Sequence, residues 1–229
     1  MERDALLDKI VEKEWAMFEA VNGADHVSCQ EDRPTFEAMR RAQFSAWSRA
    51  AAESYLRDLE AAEAQGRNLV REKYIRMMES TQPEGYEAFK GELPALSEAQ
   101  EGLVKELWEH FLAQTERMRE KYPAVALGGR PLRAGEERDG YASIETYQVG
   151  ELKTYSEETL RALLSHMEAL EEEGVDLAFQ IQRNSVTCMG YETMEDAERA
   201  IAFQLIQQFG GGECTSCGYY ADRMETMGC

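Results

Sequence analysis

Basic residues are scarce in this chain: 25 lysines and arginines stand against 44 aspartates and glutamates, a formal charge of −19 at neutral pH. Nucleic-acid affinity depends on cations displacing the counterions of the phosphate backbone, so no nucleic-acid partner is expected. An anionic membrane surface is disfavoured for the same reason. Long apolar runs are missing as well, none approaching the ~18 residues of a membrane-spanning helix. The opening residues MERDALLDKIVEKEW lack the basic stretch followed by an apolar one that marks a secretory signal. A cytoplasmic setting is therefore expected, with the five cysteines present as thiols or ligands rather than disulfides. Proline is rare, five in 229 residues, which favours long helices. His26, His110 and His166 follow Gly23, Leu107 and Leu163 at a three-residue interval, so the Glu-x-x-His pattern of a di-iron carboxylate bundle does not occur.

What is present is an amphipathic, acidic chain, 43% hydrophobic and 30% charged, long enough to bury a substantial core. Leu7, Ile10, Val11, Glu14, Phe18 and Val21 recur at three and four, predicting a helix over about 5–22 that Asn22-Gly23 would end. Asp32 ahead of Pro34 has the form of a helix start. The helix it opens is expected to carry Phe36, Met39, Gln43, Phe44, Trp47 and Tyr55 as far as Gly66, with NLVREKYIRMM resuming as another. The fold class that follows is all-α.

The chain also resembles itself. Shifted by 108 positions, FEAMRRAQFSAWS falls over IETYQVGELKTYS and YLRDLEAAEAQGRNL over LLSHMEALEEEGVDL. Glu37, Ser48, Leu56, Glu60, Gly66 and Leu69 meet Glu145, Ser156, Leu164, Glu168, Gly174 and Leu177. Trp15-x-x-Phe18 is answered by Trp108-x-x-Phe111, and Gly85-Tyr86-Glu87 by Gly190-Tyr191-Glu192. Amphipathicity alone accounts for the apolar matches but not for the repeated Gly-x-Asn/Asp-Leu. The expected organisation is a single duplicated all-helical domain over 1–209, with repeat one about 5–95, repeat two about 96–209 and the halves related by a pseudo-twofold axis. A Gly/Cys-rich tail occupies 210–229, and 123–143 is expected as the only long loop.

Three groups could carry chemistry. Glu14, Gln43 and Glu151 each sit in phase with an apolar stripe, and Arg40 and Gln148 lie one turn away; a buried carboxylate is costly unless paired. These five residues are expected to converge, either as a network that sets helix register or as the lining of a ligand pocket. Cys29 precedes a helix start, where a thiolate is stabilised, and has His26 three residues before it, so it is the candidate nucleophile. The alternative is a small buried thiol closing a loop. In the tail, Cys214-x-x-Cys217 with Cys229 could hold zinc, copper or an iron–sulfur cluster, could form a redox pair, or could remain unliganded. A single CxxC falls short of the two pairs of a zinc ribbon.

MFEAV at 17–21, SCQ at 28–30, FEAMRRAQFSAW and GRNLVREKYIRMMEST together resemble domain-of-unknown-function family 4125, over about residues 7 to 200. The resemblance implies that Met17, Phe18, Val21, Ser28, Cys29 and Gln30 belong to the family's signature. It implies no activity, and neither His26 nor the cysteine tail is part of it. Two functional readings follow. One is a small-molecule-binding protein or enzyme with its pocket between the halves, lined by Glu14, Arg40, Gln43, Gln148 and Glu151. The other is a metal- or redox-handling accessory protein that meets a protein partner through its acidic surface and tail.

Overall fold

Short polar side chains punctuate the chain by capping helix starts. Asp32, Ser48, Asn68, Ser97, Ser143 and Ser156 accept from the backbone amides of Thr35, Ala51, Arg71, Gln100, Thr146 and Thr159. Each satisfies one of the donors that a helix N-terminus leaves unpaired. The computed structural model describes residues 2–21, 32–136 and 142–209. Among these it is all-α and a single domain. Its helices are α1 (Arg3–Glu19), α2 (Arg33–Phe44), α3 (Arg49–Ala64), α4 (Leu69–Thr81), α5 (Pro83–Phe89), α6 (Glu98–Lys121), α7 (Pro123–Leu127), α8 (Ile144–Leu152), α9 (Glu157–Glu172), α10 (Leu177–Cys188) and α11 (Met194–Phe209).

Three expectations change. The first helix spans 3–19 rather than 5–22. The long helix expected from Asp32 to Gly66 is two, because Ser48 caps a new start at Arg49 and Trp47 turns into the core at 2% exposure. The loop expected over 123–143 begins with α7, and Pro131 and Leu132 carbonyls accept from Ile144 and Glu145 amides at the start of α8.

At the centre α3 packs on α9; α1 covers α3, α6 covers α9, and α1 also meets α4 as α6 meets α10. The shorter helices cross over, α2 packing on α10 and α8 on α4. Leu6, Ile10, Phe44, Leu59, Leu107, Leu152, Leu160 and Leu177 fill the continuous core, while Met118, Tyr122, Val186 and Met194 form a smaller one under α7 and α11. The ends of α3 and α9 fall 108 residues apart, and both helices close in the same way. Gly66 and Gly174 take φ of +67° and +73°, and the next amides, Arg67 and Val175, each bond back to Ala62 and Leu170 carbonyls at 2.8 Å. Only glycine adopts that left-handed turn without strain, which is why it recurs there. The correspondence stops at the glycine–tyrosine–glutamate pair: Gly85 lies inside α5, whereas Gly190 follows α10 at φ +93°.

Candidate functional site

Helix phase turns four charged side chains inward. Glu14 lies on α1 between Ile10 and Phe18, Arg40 and Gln43 on the core side of α2, Lys73 on α4 between Leu69 and Met77, and Glu151 on α8. Gly150 allows α8 to approach α4 closely, since a Cβ there would lie 2.9 Å from Met77 Cγ and 3.3 Å from the Lys73 carbonyl oxygen. That approach sets Lys73 against Tyr147 and Glu151.

Arg40 is the hub. It is 6% exposed, and its Nε and Nη2 donate to the two Glu14 oxygens at 2.6 and 2.5 Å. Nη1 and Nη2 also donate to the Glu151 oxygens at 3.1 and 3.0 Å, and Nη1 to Gln43 Oε1 at 2.9 Å. The guanidinium lies 4.6 Å above the Phe44 ring. All five guanidinium N–H groups are thereby used, the fork geometry that suits arginine to two carboxylates at once. Each carboxylate gains a tyrosine as well, Tyr55 donating to Glu14 and Tyr155 to Glu151, both at 2.6 Å. Gln43 Nε2 donates to Glu151 at 2.8 Å, and Lys73 Nζ at 3.4 Å.

The electrostatics follow from burial and pairing. Burial pushes the Glu151 carboxyl up, but Arg40, Lys73 and the hydrogen bonds from Arg40 and Tyr155 outweigh it and hold it well below the usual carboxylate range. Burial would lower Lys73, yet the Tyr147 oxygen and Glu151 keep it above its ordinary value. For Arg40 the loss of water is likewise outweighed by Glu14 and Glu151. Burial, reinforced by the carboxylates, raises Tyr55 and Tyr155, which stay protonated as donors. The result is two buried anions matched by two buried cations.

One side of this cluster opens into a cleft of about 550 Å³ bounded by α1, α2, α4, α8 and α10. Arg40, Gln43, Lys73 and Tyr147 line it together with Arg130, and Phe18, Phe36, Met39 and Tyr74 supply its apolar walls. Glu14 and Glu151 are absent from this lining and stand behind Arg40 and Lys73, while Asp32, the cap of α2, is the carboxylate that does line it. Phe18 and Phe36 stack at 5.1 Å with 10° between their planes.

Four of the five residues expected to converge therefore do so: Glu14, Arg40, Gln43 and Glu151. Gln148 does not join them; it lines a hollow of about 10 Å³ that Gln43 also borders, with Leu107, Phe111, Leu163 and Ile181. Lys73, Tyr55 and Tyr147 belong to the cluster without having been singled out, although Lys73 carries the same sign as Glu14, a charge in phase with an apolar stripe. Cys29 and His26, like Cys214, Cys217 and Cys229, lie outside the described residues. Cys188, at the exposed end of α10, places its thiol 3.7 Å from the Ala38 carbonyl oxygen. Among the described residues no three histidine, cysteine or carboxylate groups gather as metal ligands. No helix among them is long and apolar enough to cross a membrane.

Residues 4–199 match the family described as protein of unknown function, DUF4125. The chain belongs to this family. No curated protein and no solved structure matches the chain. The matched span takes in every residue of the Arg40 cluster and of the cleft, while the cysteines at 214, 217 and 229 fall beyond it.

Proposed function

We propose that this protein binds a small molecule in the cleft, with the Arg40 cluster as the rigid floor of the site. The observation that carries the reading is that Arg40, Gln43, Lys73 and Tyr147 turn toward the cleft while Glu14 and Glu151, which hold them, stand behind. A network that served only to fix helix register would have no reason to turn its donors toward a hollow of ligand size. Ligand pockets combine apolar walls with a few convergent polar groups, and this one has both.

A second support comes from the halves. We read them as related by an approximate twofold axis, on the grounds of the 108-residue spacing of α3 and α9 and of Gln43 bonding to Glu151, its counterpart at that spacing. Under this reading Arg40, Tyr55 and Lys73 correspond to Gln148, Leu163 and Ile181, and Glu14, by the match of Trp15-x-x-Phe18 with Trp108-x-x-Phe111, to Leu107. Those four residues line the hollow of about 10 Å³. The charged cluster, to which the second half adds Glu151, opens into a cleft, whereas the corresponding positions line a small, largely apolar hollow that Gln43 and Trp47 also border. A polar site built once, beside an axis that could have produced two, has the character of a binding site rather than of general scaffolding.

The test is a thermal-shift screen of a metabolite library, followed by chemical-shift mapping of the hits. A ligand at 100 times its Kd adds about 2.7 kcal/mol, or about 5–10 °C in Tm for a chain of this size. The expected hits perturb Phe36, Tyr74 and Tyr147. A library that yields no binder, or binders that perturb only other surfaces, would remove the proposal.

A further inference from the structure

Lys73 and Tyr147 say more about the ligand. An ammonium group donates only, so at 2.9 Å the Lys73 Nζ gives a proton to Tyr147 Oη. The phenol's own proton must then turn elsewhere, and among the described residues no acceptor lies within hydrogen-bond reach of it. Tyr147 lines the cleft. Lys73, 6% exposed, uses two of its three protons on Tyr147 and Glu151 and lines the same cleft. The two side chains thus present adjacent donors to one place.

We propose, building on the reading of the cleft as a binding site, that the ligand is a small planar organic acid. Its carboxylate accepts from the Tyr147 hydroxyl and the Lys73 ammonium, and its carbon skeleton lies against Phe36 and Met39. A carboxylate matches the donors because it offers two oxygens side by side and no proton of its own. An amine would meet donors with donors. Glu14 and Glu151, which would repel an anion, are already paired with Arg40 and Lys73, and Asp32, the carboxylate on the lining itself, caps α2 through the Thr35 amide. Planarity follows from the aromatic walls, where Phe36 already stacks on Phe18 and Arg130 lies 5.2 Å from the Tyr147 ring centre. Met39, 39% exposed, is the apolar surface such a skeleton would cover.

The experiment titrates the full chain with three acid and amide pairs of the same skeleton: benzoate and benzamide, phenylacetate and phenylacetamide, indole-3-acetate and its amide. Binding is followed by NMR up to on the order of 10 mM, which reaches affinities weaker than 1 mM. At least one acid should bind about tenfold or more tighter than its amide. Tyr147→Phe, which keeps the ring beneath Arg130, should weaken acid binding about three- to tenfold and leave the amide unchanged. Lys73→Met should abolish the preference for the acid; because it could destabilise the fold, Tyr147→Phe is the deciding variant. Amides that bind as tightly as acids would overturn the ligand class while leaving the binding cleft standing. The ligand class also falls if the metabolite screen yields a cleft binder and none of the acids perturbs the cleft. Acid binding indifferent to Tyr147→Phe would overturn the donor assignment, and failure of both screens would overturn the cleft as well.

Discussion

Replacing Arg40 with methionine removes a hub while keeping much of its volume, and the size of the effect can be worked from what each partner retains. Glu151 keeps Lys73, Gln43 and Tyr155. Glu14 keeps only the Tyr55 hydroxyl, in a site where its residue is 2% exposed. The substitution thus strands one buried carboxylate and loosens another, and breaking a buried pair costs about 3–5 kcal/mol, with Glu14 accounting for most of it. Against a total stability on the order of 5–15 kcal/mol this leaves a marginal fold, with Tm lower by about 8–16 °C. Urea unfolding followed by circular dichroism measures it, provided the slope with denaturant is unchanged. The control is Glu14→Gln introduced into the Arg40→Met background, which removes the stranded charge and should restore at least about half of the loss, because the two sites share one interaction. A loss below about 1 kcal/mol for Arg40→Met, or a double variant no more stable than the single one, would show that the charges are not coupled as the geometry requires.

Other outcomes follow from single positions. Glu151 titrates in the folded state well below its unfolded value near 4.5, so the stability it contributes is present above that value and lost as pH falls. The wild type should therefore lose more stability than Glu151→Gln between about pH 5 and pH 2, and parallel Tm–pH curves would contradict this. Gly66→Ala and Gly174→Ala meet no atom within 4 Å, so each tests the left-handed backbone alone and should cost about 1–2 kcal/mol by chemical denaturation. A neutral result at either glycine would refute the account of that turn. Gly150→Ala should cost about 1–3 kcal/mol, because its Cβ meets Met77 and the α4 backbone, and it should also weaken any cleft ligand by displacing Lys73. Unchanged stability and unchanged binding would show that α8 has room to move.

How much of the molecule is legible in its sequence depends on which physical property sets each feature. Helix existence and inward phase are local, since a period of 3.6 residues decides which side chains share a face, and so the all-α class and the burial of Glu14 and Glu151 could be read from spacing. The helix ends were partly legible, because Gly66 and Gly174 announce their turns. The break at residues 45–48 was not, since Ser48 interrupts a stripe that the apolar residues on either side continue in phase. Which inward faces meet is a property of packing. Tyr147 and Gln148 are neighbours about 100° apart on α8, and only the crossing of α8 over α4, made possible by Gly150, sends one into the charged cleft and the other into an apolar hollow. Lys73 carried the local sign of an inward charge, but its partners lie 74 and 78 residues away. Sequence periodicity alone established that charges would be buried. Which charges pair, and on which side of the pairs a cleft opens, was decided by tertiary structure, because pairing depends on distances between helices that no single helix determines.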